Sequence, residues 1–148
     1  LSSVGAGQAF AETYAFCGEA LMVDAVAAEN CEILFLHTAA LTDARIEPAL
    51  QDKLLRRLLA VSMRKNLSLS QRIFCTTPKT VRGRLLTYFS AQAARCGRME
   101  FEVPFNRQQM ADYLNLDRSA LSKELCKMRD EGLLEFDKNR FVLKQLPE

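Results

Sequence analysis

The sequence has no tryptophan, one histidine, four prolines and six glycines in 148 residues. The single histidine, His37 beside Thr38, completes no nucleophile–histidine–acid set, and no glycine-rich phosphate-cradling loop stands before a helix. No catalytic residues are therefore expected, and the chain does not read as an enzyme. No stretch approaches the roughly 18 to 20 consecutive apolar residues of a spanning helix, and the start has neither signal-peptide character nor an initiator Met. The expectation is a cytoplasmic protein with no membrane partner, with Leu1 at the edge of a fragment. The five cysteines, Cys17, Cys31, Cys75, Cys96 and Cys126, are odd in number, and no two lie closer than 14 residues. Such spacing suggests neither a disulfide framework nor a C-x-x-C motif, so no metal site is expected.

What the chain does have is apolar content, 49% of its residues, enough for one ordinary domain or two small ones to bury a core. Its formal net charge of +2 conceals two unlike halves. Residues 1–50 carry one basic side chain against seven acidic, and residues 51–148 carry nineteen against eleven. Only the second half has the charge to seek a polyanion.

Between residues 4 and 36, Gly5, Gly7 and Gly18 precede two β-leaning stretches, Leu21-Met22-Val23 and Cys31-Glu32-Ile33-Leu34-Phe35-Leu36. The pattern predicts short strands with a turn or one helical turn near Glu12, too little to stand alone. From Pro48 to Phe74 there is no Gly or further Pro, and Leu50, Leu54, Leu58 and Val61 recur at helical spacing. This long helix carries either a dimer seam or one intramolecular packing face. Thr76-Thr77-Pro78 restarts the pattern as a helix from about Lys79 to Arg95, with Val81, Leu85, Leu86 and Phe89 inward and Gly97 as its stop. Met99 to Phe105 then alternates apolar and charged residues, as a half-buried strand does.

Residues 106–131 are the most specific part of the chain. Asn106 with Gln109 three residues on makes a capping box for a helix from Arg107 to Leu114. Asn115-Leu116-Asp117 is a tight break, in which Asn115 tolerates a left-handed backbone and Asp117 caps a second helix running to about Glu131. In that helix Leu121, Leu125 and Met128 form the inner stripe, while Arg118, Ser119, Ser122, Lys123, Cys126 and Lys127 face outward. Two short β-runs, Leu133 to Phe136 and Arg140 to Leu143, follow as a hairpin around Asp137-Lys138-Asn139. A strand, a helix-turn-helix and a hairpin make a winged helix, which serves either as a DNA reader or as a protein-interaction module.

The segments Phe105-Asn106-Arg107-Gln108-Gln109-Met110-Ala111-Asp112-Tyr113-Leu114 and Asp117-Arg118-Ser119-Ala120-Leu121-Ser122-Lys123-Glu124-Leu125 resemble the Crp–Fnr family of bacterial transcription regulators. The likeness is best over residues 105–144 and extends less specifically through the long helix toward residue 5. It implies an α+β fold: over 1–45 the C-terminal part of an effector-binding, cyclic-nucleotide-binding-like β-roll lacking its first strands, over 46–75 a long dimerisation helix, and over 76–148 a C-terminal winged helix-turn-helix DNA-binding domain.

The resemblance also assigns residues. The family's recognition helix reads bases with a Glu-x-x-Ser-Arg or Arg-Glu-x-x-x-Arg pattern, matched here by Arg118, Ser119, Ser122 and Lys123. Arg118 keeps a guanidinium able to bridge guanine O6 and N7. Ser119 replaces the usual Glu and Lys123 the usual Arg, so the preferred site should differ from the family's familiar ones. Asn106 and Gln108 match backbone-contacting positions, and Lys79, Arg82, Arg107, Lys127, Lys138 and Arg140 are further candidates for phosphate. Glu124 falls where an apolar residue is often found. Leu50, Leu54, Leu58 and Val61 would form the dimer interface.

In cyclic-nucleotide-binding members a Gly-Glu pair grips the ribose and an Arg-Ser or Arg-Thr pair binds the phosphate. Here Ala11-Glu12 and Leu21-Met22 stand in those places, making Glu12, Leu21 and Met22 the effector-pocket candidates. Without the arginine, cyclic AMP is not expected to bind tightly. Neither the N-terminal cysteine cluster of iron–sulfur members nor a pair of haem ligands is visible, so no cofactor is identified and the effector is left open. The expected protein is a homodimeric, sequence-specific regulator of double-stranded DNA, bound to an inverted repeat. RNA polymerase is a further partner if it activates.

Overall fold

A computed structural model describes residues 4–43 and 45–144. They fall into two compact units, one reaching to Leu67 and the other starting at Ser68.

In the first unit, helix α1 (Glu12–Cys17) supplies the helical turn expected near Glu12, and Gly18 ends it in the left-handed conformation. A 3-10 turn at Thr38–Thr42 leads to the long helix α2 (Pro48–Thr76). The strands expected at Leu21-Met22-Val23 and Cys31 to Leu36 do not form. A strand needs neighbours for its backbone N–H and C=O groups, and among the described residues these stretches have no strand beside them. Leu34 and Phe35 accordingly stand 92% and 88% exposed.

On α2, three of the residues expected at a dimer seam, Leu54, Leu58 and Val61, are half-buried within the single chain. Other apolar side chains of α2 are exposed on more than one face: Leu55, Leu59, Met63, Leu67, Leu69, Ile73 and Phe74, from 39% to 66%. Leu50 alone of the expected set is exposed.

The second unit holds the end of α2, helix α3 (Val81–Cys96), strand β1 (Glu100–Glu102), helices α4 (Arg107–Leu114) and α5 (Arg118–Asp130), and strands β2 (Leu134–Asp137) and β3 (Arg140–Leu143). The three strands form one antiparallel sheet with β3 in the middle, Phe101 opposite Phe141 and Phe136 opposite Phe141. Leu85, Tyr88 and Phe89 of α3, Met110, Ala111 and Leu114 of α4, and Leu121, Leu125 and Met128 of α5 close over this sheet. The rings of Phe89 and Phe141 lie 4.6 Å apart at its centre. The expected inner face of α3 is correct at Leu85 and Phe89, whereas Val81 and Leu86 are only half-buried and Tyr88 takes a core place.

The start of α3 depends on a close approach. The Thr80 hydroxyl accepts the Gly83 N–H at 3.0 Å, and a Cβ on Gly83 would sit 2.9 Å from both the Pro78 ring and that hydroxyl. The proline ring cannot swing aside as a long side chain could. Gly83→Ala is therefore expected to destabilise the domain by about 1–3 kcal/mol despite alanine's better helix propensity. Urea titration checks this, and an unchanged midpoint would show that the Pro78 turn yields freely.

Candidate nucleic-acid interface

The two helices α4 and α5 are set by local chemistry. Asn106 Oδ1 accepts the Gln109 N–H at 2.9 Å while Gln109 Oε1 accepts the Asn106 N–H at 2.9 Å, closing the expected capping box. Asn115 takes the left-handed backbone at φ 52° and ends α4. Asp117 starts α5, accepting the Ser119 N–H at 3.2 Å and the Ser119 hydroxyl at 3.0 Å.

Two arginines that sequence reasoning missed hold this turn in place. Arg84 donates to the carbonyls of Pro78, Leu114 and Asn115 at 2.8, 3.1 and 2.7 Å. Arg72 donates to the carbonyls of Asp112 and Tyr113 at 2.9 and 3.0 Å, with its guanidinium over the Tyr113 ring. Both put positive charge on the C-terminal end of α4, where the helix leaves carbonyls unpaired and the dipole favours a cation. Partners 30 to 41 residues away leave no local signal.

With Leu121, Leu125 and Met128 buried, the opposite face of α5 is turned to solvent. Arg118, Ser119, Lys123, Cys126 and Lys127 are exposed on it, and Ser122 is half-buried. Among the described residues the side chains of Arg118 and Lys123 make no hydrogen bond or ion pair, so both keep their full donor sets. The Ser119 hydroxyl is engaged with Asp117, which ties this candidate to the helix start.

The remaining candidates divide in the same way. Lys79 and Lys138 are exposed, and Lys138 occupies the hairpin tip at φ 50°. Asn106 is the capping residue, and Gln108 donates to Asp112 at 2.9 Å. Arg140 pairs with Glu100 across the sheet. Arg107 is half-buried, its guanidinium 5.0 and 5.2 Å from the Phe136 and Phe141 ring centres, where desolvation lowers its pKa. It braces the first turn of α4 against the hairpin rather than projecting.

Arg82 is likewise drawn inward. It meets Glu124 at 2.6 Å and Glu131 at 2.8 Å, and these carboxylates hold its pKa above the usual range while that of Glu131 is lowered. This also explains a charged residue at position 124: Glu124 pins α5 to α3. Arg82→Met should lower the melting temperature, because two carboxylates would face each other without their cation. The salt dependence of DNA affinity should stay unchanged. Loss of about one unit of salt slope would instead put Arg82 on a phosphate.

The effector-pocket candidates are not brought together. Glu12 is buried and paired with Lys65 at 2.8 Å, whereas Leu21 and Met22 are exposed. Among the described residues no cluster of His, Cys, Asp and Glu could hold a metal ion, and no helix is long and apolar enough to cross a membrane.

Residues 83–148 match the family model described as a Crp-like helix-turn-helix domain. Over these residues the chain is similar to Crp-like helix-turn-helix domains. The likeness to Crp–Fnr regulators carried by residues 105–144 thus holds, and with it the α+β fold class. The chain is also similar in fold to FixK2 from Bradyrhizobium japonicum, at 20% identity and a TM-score of 0.53 over 74% of this chain. It spans 55% of the length of that protein. No curated protein sequence matches it. Within the Crp-like domain, α4 and α5 are the paired helices and β2–β3 the wing.

Proposed function

We propose that the chain is a sequence-specific DNA-binding transcription regulator that acts as a homodimer on an inverted repeat. One observation carries the reading: the outer face of α5 presents Arg118 and Lys123 with no partner among the described residues, on a helix whose inner face is locked into the core. A helix so placed fits the major groove, where Arg118 can bridge O6 and N7 of a guanine. Ser122 and Lys123 follow it along the groove, with Ser119 reading a base if its hydroxyl turns from Asp117. Lys79, Lys127 and Lys138 supply phosphate contacts, as does the side-chain NH2 of Asn106.

The controlling signal in this reading is not a cyclic nucleotide. The Glu12 carboxylate is already neutralised by Lys65, so a ribose would have to displace that cation, and Leu21-Met22 stand where an arginine would meet the phosphate. The protein works in the cytoplasm without catalysis of its own, and meets RNA polymerase where it activates.

Fluorescence anisotropy of a labelled mixed-sequence duplex, titrated with the chain at stepped salt, separates a DNA reader from a protein-interaction module. The reader binds at low salt with affinity falling steeply as salt rises. No binding at low salt would leave the basic face merely solvated.

A further inference from the structure

Two adjoining hollows of about 70 and 130 Å³ open between the end of α2, α3 and α4. They share Gln71, Tyr88, Gln92, Arg95 and Tyr113 and so form one cleft, all of it within the second unit. Phe105 adds a third ring to its wall, with its centre 5.1 Å from that of Tyr113 and 6.4 Å from that of Tyr88, while the two tyrosine rings lie 5.6 Å apart. A cavity of about 150 Å³ holds a benzene ring. The larger hollow is therefore close to the size of one ring.

Tyr88 is the unusual member of this wall. It is only 2% exposed, yet among the described residues its hydroxyl has no hydrogen-bond partner, although a buried tyrosine hydroxyl usually finds one. The side chain lines both hollows, so a partner can come from within the cleft. Burial pushes this hydroxyl well above the usual phenol range, and the nearby Arg95 charge only partly opposes the shift, so it stays a proton donor at neutral pH. Arg95 donates to the Gln92 amide oxygen at 2.6 Å and meets no carboxylate among the described residues. No acidic side chain lines either hollow. The cleft thus offers a full positive charge, a hydroxyl donor and aromatic walls.

We infer that this cleft binds a small monocyclic aromatic carboxylate. The ring packs on Tyr88, Phe105 and Tyr113 in the offset or edge-on arrangements that aromatic groups prefer, and the carboxylate accepts from Arg95 and from the Tyr88 hydroxyl. An apolar ring alone would leave that hydroxyl unpaired, and a cation would face Arg95. Inorganic phosphate would meet a single arginine and leave the three rings uncovered. The site is independent of the DNA-reading face and of the dimer reading, because none of its residues belongs to either.

Benzoate titrated into the full chain, with the tyrosine rings labelled with carbon-13 and followed by NMR, tests this. The chain has three tyrosines, and Tyr14 of α1 serves as the internal control. The Tyr88 and Tyr113 signals should shift saturably while Tyr14 stays put. Read on Tyr113, Tyr88→Phe should raise the Kd about fivefold and Arg95→Gln about tenfold or more. Benzamide, which lacks the charge, and inorganic phosphate, which lacks the ring, should give no saturable shift over the same range. Shifts that grow linearly at all three tyrosines would remove the site. An unchanged Kd in either variant, or benzamide binding as tightly as benzoate, would overturn the carboxylate. Phosphate binding as tightly as benzoate would overturn the aromatic class.

Discussion

Phe141→Ala is expected to cost about 3–5 kcal/mol, a large share of the roughly 5–15 kcal/mol that holds a domain together. Phe141 sits on the central strand with no exposed surface and meets Phe89, Phe101 and Phe136, so its removal opens a cavity touching α3 and all three strands. It also takes away one of the two rings under the Arg107 guanidinium, leaving a half-buried cation with less to offset its lost hydration. For a domain of this size the loss lowers Tm by about 12–40 °C. Val26→Ala, at a side chain 85% exposed, should stay within about 0.5 kcal/mol and serves as the control. Equal effects from the two would mean that the core is not centred on the sheet.

Arg118→Ala has the largest expected effect on function. The side chain is exposed and has no partner among the described residues, so its loss should leave folding unchanged. Affinity for the preferred duplex should fall by about 1–3 kcal/mol, or 5- to 150-fold in Kd, with preference relaxed at one base pair in each half-site. Binding to mixed-sequence DNA should change far less. A uniform drop across all sequences would make Arg118 a phosphate contact and shift base reading toward Lys123.

The helix-turn-helix was legible because its signals are local. Asn106 and Gln109 write the start of α4, Asn115 its end and Asp117 the next start, all within a few residues of the groups they satisfy. The hairpin was legible for the same reason, and it closes one residue tighter than expected, with Asp137 still in β2 opposite Arg140. Arg72, Arg82 and Arg84 were not legible in their roles, since a basic residue on a helix looks the same whether it meets solvent, a phosphate or a carbonyl 30 residues away. The strands expected between Leu21 and Leu36 had the right composition, but strand formation depends on partners and not on composition alone.

The α2 stripe shows a different limit. Leu50, Leu54, Leu58 and Val61 form an apolar ladder, and Leu55, Leu59 and Met63 form another beside it. Spacing cannot tell which ladder a helix keeps for itself and which it offers outward. The structure half-buries most of the first and exposes the second.

The central claim is that α5 reads DNA from both halves of a symmetric dimer. Selection of bound duplexes from a random pool at physiological salt, using the full chain, tests it most directly. The account predicts an inverted repeat with half-sites about one helical turn apart, roughly 34 Å between centres. A pool that returns no enriched motif, or a single unrepeated half-site, would contradict it.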